Sequence, residues 1–534
     1  MPKWIRSFLG PARADAAQLL QQAESAYGEG APERAKELCL RALQQAPQEE
    51  ARALSLMAAI AADAGLTEEG LRWARRAQAA DPASASPHYV AGRLWQDAGR
   101  LPEAEASYRC AVELQPGHAR AHNNFGSVLH MQGRLEAALV AYRRALDLDP
   151  GLPQANQNYA AIVRDAGALE RAVAACLRHT AAHPDDAMAF NDLGNAYREL
   201  GRHRDALAAY ERALALAPDL AQAHFSRSFV LLLLGDYDAG WKEYEWRWRI
   251  PVFNAPARRF PQPIWDGKPV QGGAVLLHAE QGLGDTLQFV RYAPLVAQRC
   301  AAVVLECQPE LGTLMRGVAG VHRVVTRGEA LPAFAAHAPL MSLAAVFGTT
   351  LETIPWSGPY VHAAPARAGS WDLSAHAGAT RLKVGLVWAG RPQQWDDRKR
   401  SISLDMLAPL ARAAGVSFFS LQVGAAAAQS AAPPAGMPLI DLTTGIADFS
   451  DTAALISHLD LVITIDTSVA HLAGAMGVPV WVLVAHAPDW RYHLGRDDQP
   501  WYPTMRLFRQ ERDGDWSGAI AKAAGELVRR VGRQ

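Results

Sequence analysis

The stretch HNNFGSVLHMQGRLEAALVAYRRALDLDP, His122 to Pro150, decides the fold of the first half of the chain. Apolar Phe125, Leu129, Ala138, Tyr142 and Ala145 recur at helical spacing on either side of Gly133. The glycine lets the chain turn between two helices, and the proline stops the second. Small residues, Gly126 and Ala138, let those helices approach closely. One such hairpin cannot bury its own apolar face, so copies of it are expected on either side.

They are there. Pro82, Pro116, Pro150, Pro184 and Pro218 each fall 34 residues after the last, and Gly65, Gly99, Gly133, Gly167, Gly201 and Gly235 keep the same step. Pro47 precedes Pro82 by 35, so the first unit carries one extra residue. One neighbour supplies Gly92, Trp95, Ala104, Tyr108 and Ala111; a later one supplies Leu193, Gly194, Tyr197, Ala206, Tyr210 and Ala213. This set resembles the tetratricopeptide repeat, which implies an α-solenoid with a concave, peptide-holding face. The unit ending at Pro184 is degenerate, with Cys176 in the Tyr position and His179 in an Ala position. Asn124, Asn158 and Asp192 also stand 34 apart, along the first helices. Such a ladder either solvates the inner face or pairs with the backbone of an extended polypeptide. A similar ladder in the O-GlcNAc transferase repeats implies the second. The last unit crowds Trp241, Trp246 and Trp248 around Tyr244. These aromatics are expected to glue the repeats to the next domain, with a platform for sugar as the alternative.

Composition bounds the rest. A chain of 534 residues is too long for one core, so two to four domains are expected. A formal net charge of -1 gives no bulk attraction for nucleic acid. Cys39, Cys110, Cys176, Cys300 and Cys307 lack metal-ligand spacing and read as reduced thiols of a cytoplasmic protein. The N-terminus has no signal-peptide core. FVLLLL, Phe229 to Leu234, is far short of the roughly 20 residues of a spanning helix.

From about Gly272 the rhythm becomes that of parallel α/β units. GAVLLH, AAVVLEC and HRVVT alternate with helical TLQFVRYAPLVAQR and LGTLMRGV; after a small-residue linker come LKVGLVWAG, SFFSLQ, DLVITID and PVWVLV. Two carboxylates sit at strand ends, where open parallel sheets bind ligands. Asp285 lies in the loop HAEQGLGD with Gly282 and Gly284, and Asp466 precedes Thr467, Ser468 and His471 at the start of a helix. Hydroxyls and free amides there make an anion site, with His471 adding a donor or a positive charge; a plain N-cap with a packed histidine is the other reading.

The G-D loop together with D-T-S-x-x-H-L-A-x-A-x-G-x-P resembles the ADP-heptose:lipopolysaccharide heptosyltransferases, over roughly Gly272 to Arg530, with Asp441, Thr444 and Gly445 also matching. The bridge PQPIWDGKPVQGG, the loop EQGLGDTLQFVRYAPL and the segment DWRYHLGRDDQPWYPTMRLFRQ look like the bacterial tetratricopeptide-repeat glycosyltransferases. The resemblance implies a GT-B pair of Rossmann-like domains, with Asp285 as base on the acceptor side. Asp466, Thr467, Ser468 and His471 would then hold the nucleotide-sugar donor. Lys399 and Arg400 are the candidates for its phosphates, Arg400 preferred. Trp490, Arg491, Trp501 and Tyr502 would shape the donor side of the cleft or simply be buried. This family usually carries Asp-Thr-Gly, so Ser468 is a departure that leaves the donor sugar open.

The fold class expected is α plus α/β. Its segments are an N-terminal stretch 1–12, repeats 13–250, a bridge 251–271, an acceptor domain 272–365, a linker 366–381 and a donor domain 382–534. A single base implies inverting displacement, with no cofactor beyond the nucleotide sugar. Neither Asp396-Asp397 nor Asp497-Asp498 sits at a clear strand end, so no metal is expected. A protein acceptor selected by the repeats is the first functional reading; a saccharide or glycolipid acceptor and a non-catalytic scaffold are the others.

Overall fold

The computed structural model describes residues 11–45, 50–149, 152, 154–155, 158–159, 168–250, 260–377, 381–391 and 397–533. Pro47, Pro150, Gly167 and Asp396 lie outside the described residues. The chain divides into two compact units, Met1–His179 and Thr180–Gln534, so the division falls inside the repeat array.

In the first unit the hairpins are built as the 34-residue step requires. Helices Thr67–Ala80, Ala85–Asp97, Leu101–Leu114, Ala119–Met131 and Leu135–Leu148 follow one another with short turns. Ala80 and Leu114 each end a helix two residues before Pro82 and Pro116. Gly133 takes φ +74° in its turn, a conformation that side chains bearing a Cβ rarely adopt. The glycine inside each first helix has a different task. A Cβ on Gly92 would lie 2.6 Å from the Tyr108 ring, and one on Gly126 2.7 Å from the Tyr142 ring. The missing side chain is thus the socket for the tyrosine one helix later. Cys176 is buried in the Tyr position of the degenerate unit.

The second unit opens with the same device. Helices Ala187–Glu199 and His203–Leu216 pair through Gly194, whose Cβ would stand 2.5 Å from Tyr210. Ala221–Leu234 and Tyr237–Tyr244 complete the array, and a 3-10 turn Glu245–Arg249 follows. Trp241 does act as glue: it packs edge-on against Trp490 at 5.2 Å and Phe289 at 6.0 Å. Trp246 instead stacks on His224 at 3.7 Å, and Trp248 lies under the Arg247 guanidinium.

Two parallel sheets follow. β1 (Val270–His278), β2 (Cys300–Cys307), β3 (Arg323–Thr326) and β4 (Ala336–Pro339) are ordered β3-β2-β1-β4. β5 (Leu382–Val387), β6 (Val416–Ser420), β7 (Leu439–Asp441), β8 (Leu461–Ile465), β9 (Val480–Val484) and β10 (Met505–Arg509) are ordered β10-β9-β8-β5-β6-β7. The pairings between these strands are parallel, as in Rossmann-like layers. The expected long helix after β1 is broken into Leu283–Phe289, a 3-10 turn Val290–Tyr292 and Ala293–Ala297. Pro294 has no N–H to carry an α-helix through that point. No helix among the described residues is long and apolar enough to cross a membrane.

Candidate functional site

Strand order places the site. In the first sheet the order reverses between β1 and β4, and in the second between β5 and β8. Loops diverge at such points and leave a crevice at the carboxyl ends of the strands. Asp285 follows β1, Arg400 follows β5 and Asp466 follows β8, so all three stand at these switch points.

Asp285 is in the first turn of helix Leu283–Phe289. Its Oδ2 accepts the Gly282 N–H at 2.8 Å, which closes the loop. Its Oδ1 is ion-paired with the Arg491 guanidinium. The side chain keeps 18% of its surface exposed, enough for a small group to reach it. Desolvation pushes its carboxyl above the usual range, opposed by Arg491 and the Gly282 amide and reinforced by Asp489 and Asp466.

The second carboxylate, Asp466, accepts a hydrogen bond from the Tyr492 hydroxyl at 2.7 Å, and Arg400 Nη1 lies 3.8 Å from its other oxygen. Helix Ser468–Ala475 starts directly beyond. Thr467 is its N-cap residue, yet its hydroxyl makes no capping bond and sits 3.0 Å from the Thr464 hydroxyl. The N-terminal amides are therefore not spent on that side chain, unlike in a plain N-cap. Ser468 is the first helical residue, half-buried at the same end.

His471 is buried with Nδ1 3.0 Å from the Tyr502 hydroxyl. Its ring lies against the other domain: a Cβ added to Gly284 would stand 2.8 Å from His471 Cδ2. The glycine at that position lets the Asp285 loop touch the helix after β8. Burial pulls the imidazole down to about 3, helped by Arg491, Arg291 and Arg400. The ring is neutral near pH 7 in these surroundings, where it can donate one hydrogen bond.

The pH dependence has a definite sign. The unfolded ring takes up a proton as pH falls through 6.5, whereas the folded ring resists down to about 3. Stability is complete above 6.5 and is lost as pH falls through that window. His471→Gln cannot protonate, so at pH 5 it should lose roughly 2 kcal/mol less than wild type, relative to pH 8. Parallel denaturation midpoints at the two pH values check this; equal losses in both proteins would refute it.

The two basic candidates part company. Arg400 reaches Asp466 and Asp397, whereas Lys399 is ion-paired with Glu199 at the end of a repeat helix. Asp441 caps its own turn, accepting the Thr443 amide at 2.9 Å, while Gly445 lies close under the Trp371 ring. Asp498 is paired with Arg496. In the first unit Asn124 bonds the Tyr89 and Tyr108 hydroxyls at 3.4 Å, and Asn158 donates to Asn123 at 3.1 Å. In the second unit Asp192 accepts a long bond from Asn191 at 3.5 Å.

Residues inside the quoted stretches but given no role from sequence also stand here. Tyr492 and Gln288 serve as direct partners of Asp466 and Arg491, and Glu280 anchors the loop before Asp285. Glu280 carried a further signal, as an acid two residues beyond a buried strand.

Comparison with known proteins agrees with this architecture. Residues 89–153 and 194–235 match tetratricopeptide-repeat models, and residues 425–492 match glycosyltransferase family 9 (heptosyltransferase). That last match covers β8, Asp466 and the helix bearing His471. The chain thus carries tetratricopeptide repeats, and its residues 425–492 are similar to part of the family 9 glycosyltransferases. Among curated proteins, Protein FlbA of Caulobacter vibrioides is 28% identical over 333 residues, 58% of this chain and 55% of FlbA. The chain thus spans about half the length of that relative. Among solved structures, YrrB, a tetratricopeptide-repeat protein with an unusual peptide-binding site, is 21% identical; the match covers 35% of this chain and 95% of YrrB with a TM-score of 0.24. A thermophilic tetratricopeptide-repeat protein of Thermus thermophilus, TTC0263, is 21% identical over 41% of this chain and 99% of its own, with a TM-score of 0.23.

Proposed function

We propose that this chain is a glycosyltransferase that moves a sugar from a nucleotide-sugar donor to a hydroxyl of a polypeptide selected by its repeats. The observation that carries the reading is the contact of Gly284 with His471, which sets the Asp285 loop against the helix after β8. A base and a diphosphate site have to be this close for one displacement to use both.

Asp285 takes the proton of the acceptor hydroxyl as its oxygen bonds to the anomeric carbon. The sugar–phosphate bond breaks on the opposite face, inverting that carbon, and the diphosphate leaves with the electron pair. Amides at the start of helix Ser468–Ala475, the Thr467 and Ser468 hydroxyls and Arg400 receive its charge, so the step is assigned no metal or cofactor. Lys399 is left out of this set because it pairs with Glu199. The two sheets thereby divide the labour of a GT-B enzyme. The Asn124 and Asn158 amides and Asp192 are assigned to the acceptor polypeptide, supported by their regular step along the first helices.

The test is thermal stability of the purified chain against ADP, GDP, UDP and CMP, with His471→Ala alongside. A ligand at 100 times its dissociation constant adds about 2.7 kcal/mol to the domain that holds it. One nucleotide should raise the melting temperature of wild type and not of the variant. No shift with any of the four would remove the donor site and favour a scaffold.

A further inference from the structure

Arg491 is a buried cation that the chemistry above leaves without a task. It lies on the short helical turn Trp490–Tyr492. Besides Asp285, its guanidinium donates to Asp489 Oδ1 at 2.9 Å and to Gln288 Oε1 at 2.7 Å. The flat group also lies over the Trp490 ring, 4.4 Å from its centre. Asp489 and Trp490 fix the arginine from its own side, while Asp285 and Gln288, three residues apart, receive it on one face of the helix after β1. Gln288 has given up its own balance for this. Its oxygen meets the guanidinium, while its buried Nε2 finds no partner among the described residues. An amide turned that way answers the demand of a cation for an acceptor.

The neighbours of Arg491 tie the same turn down elsewhere. Tyr492 donates to Asp466, and His493, held at φ 49°, lies 3.0 Å from the Tyr237 hydroxyl and 3.2 Å from the Leu233 carbonyl oxygen. A non-glycine residue in that left-handed region persists only where its surroundings hold it. The turn therefore has little freedom to carry Arg491 away from Asp285.

We infer that Arg491 is the positioning residue of the Asp285 base, holding Oδ1 so that Oδ2 presents its remaining lone pair to the acceptor hydroxyl. The inference rests on the assignment of Asp285 as base. The proton of the hydroxyl ends on Oδ2, already oriented by the Gly282 amide, and then passes to solvent. The charged and titratable groups around Asp285 include Arg491 and Asp489 from this turn, Asp466 from the end of β8, Tyr244 from the last repeat and the His471 ring, which lies against neighbouring Gly284. Without the guanidinium, desolvation and two neighbouring carboxylates act on Asp285 unopposed except by one amide. The carboxylate then protonates at higher pH.

The experiment measures nucleoside diphosphate release from ADP-, GDP- and UDP-sugars by the full chain across pH, comparing wild type with Arg491→Met, Arg491→Lys and Asp285→Asn. Arg491→Met should lower kcat by roughly tenfold or more, with donor KM within about threefold, and should move the acidic limb of the profile up by roughly one pH unit. Arg491→Lys keeps the charge and loses the fork, so its limb should return towards wild type while kcat stays reduced. A merely structural arginine would lower activity and melting temperature without moving the limb, and that result overturns the inference. Should Arg491→Met fail to fold, Arg491→Lys decides alone: a reduced kcat at the wild-type melting temperature and donor KM supports the inference, and either wild-type kcat or a reduced kcat with a lowered melting temperature overturns it. An active Asp285→Asn would instead remove the base assignment itself.

Discussion

Asp285→Asn should cut turnover by roughly 10²–10⁴-fold while the chain still binds its nucleotide. The asparagine is close to isosteric, and its oxygen can still accept the Gly282 amide that Asp285 Oδ2 accepts at 2.8 Å. What it cannot do is take a proton from a hydroxyl. The diphosphate assignment lies with Arg400 and the helix after β8, outside the loop that is changed, so the nucleotide melting shift should persist. Loss of turnover with retention of the shift separates a missing base from a collapsed site. Nucleoside diphosphate release and thermal melting on the same preparation check both; wild-type turnover would refute the role.

The same residue shows what was legible in the chain and what was not. Asp285, Asp466 and His471 stand out because each lies a fixed distance from a strand end or a helix start, and local spacing is what a sequence displays. Arg491 pairs with Asp285 across 206 positions, and no periodicity links them. Adjacent Lys399 and Arg400 were both candidates, Arg400 preferred, and one faces Glu199 while the other faces Asp466. Their separation depends on where the end of a repeat helix lies. Strands divide in a similar way. The apolar runs of β1, β2, β3, β5, β6, β8 and β9 were plain, and the unread ones, β4, β7 and β10, are all sheet edges. Ala336–Pro339 forms β4 without a β-branched residue and with a proline at its end, and its outer side is met only by the short pairing of His337 with Pro263 and Trp265. The repeats were legible because glycines and prolines keep one step along the chain and a glycine socket with its tyrosine recurs at fixed spacing, as in Gly92 with Tyr108, Gly126 with Tyr142 and Gly194 with Tyr210.

Arg247→Met should be the most damaging single change to stability, costing about 3–5 kcal/mol. Arg247 has no exposed side-chain surface, and it grips Glu280 with Nε at 2.7 Å and Nη2 at 3.0 Å. Glu280 is nearly as deeply buried, and apart from this fork it accepts the Met341 amide at 3.2 Å. Methionine fills much of the volume but leaves that carboxylate with no countercharge. Burial already pushes the Glu280 carboxyl upwards, with Arg247 opposing. A raised carboxyl contributes stability below its unfolded value and loses it as pH rises through the folded one. Without Arg247 that loss grows, so the deficit of the variant should be larger at pH 8 than at pH 5. Glu280→Leu placed in the Arg247→Met background should recover much of the loss, since two apolar side chains replace a buried pair at little cost. Denaturation midpoints of the single and double variants at both pH values test the argument; a deficit below about 1 kcal/mol, or one equal at both, would refute it. Function enters through position: Glu280 stands in the loop that carries Asp285, and neighbouring Gln281 donates to the Tyr244 hydroxyl at 2.6 Å. The last repeat therefore grips the base loop directly, and a rescued double variant that folds but turns over slowly would show that the grip sets geometry as well as stability.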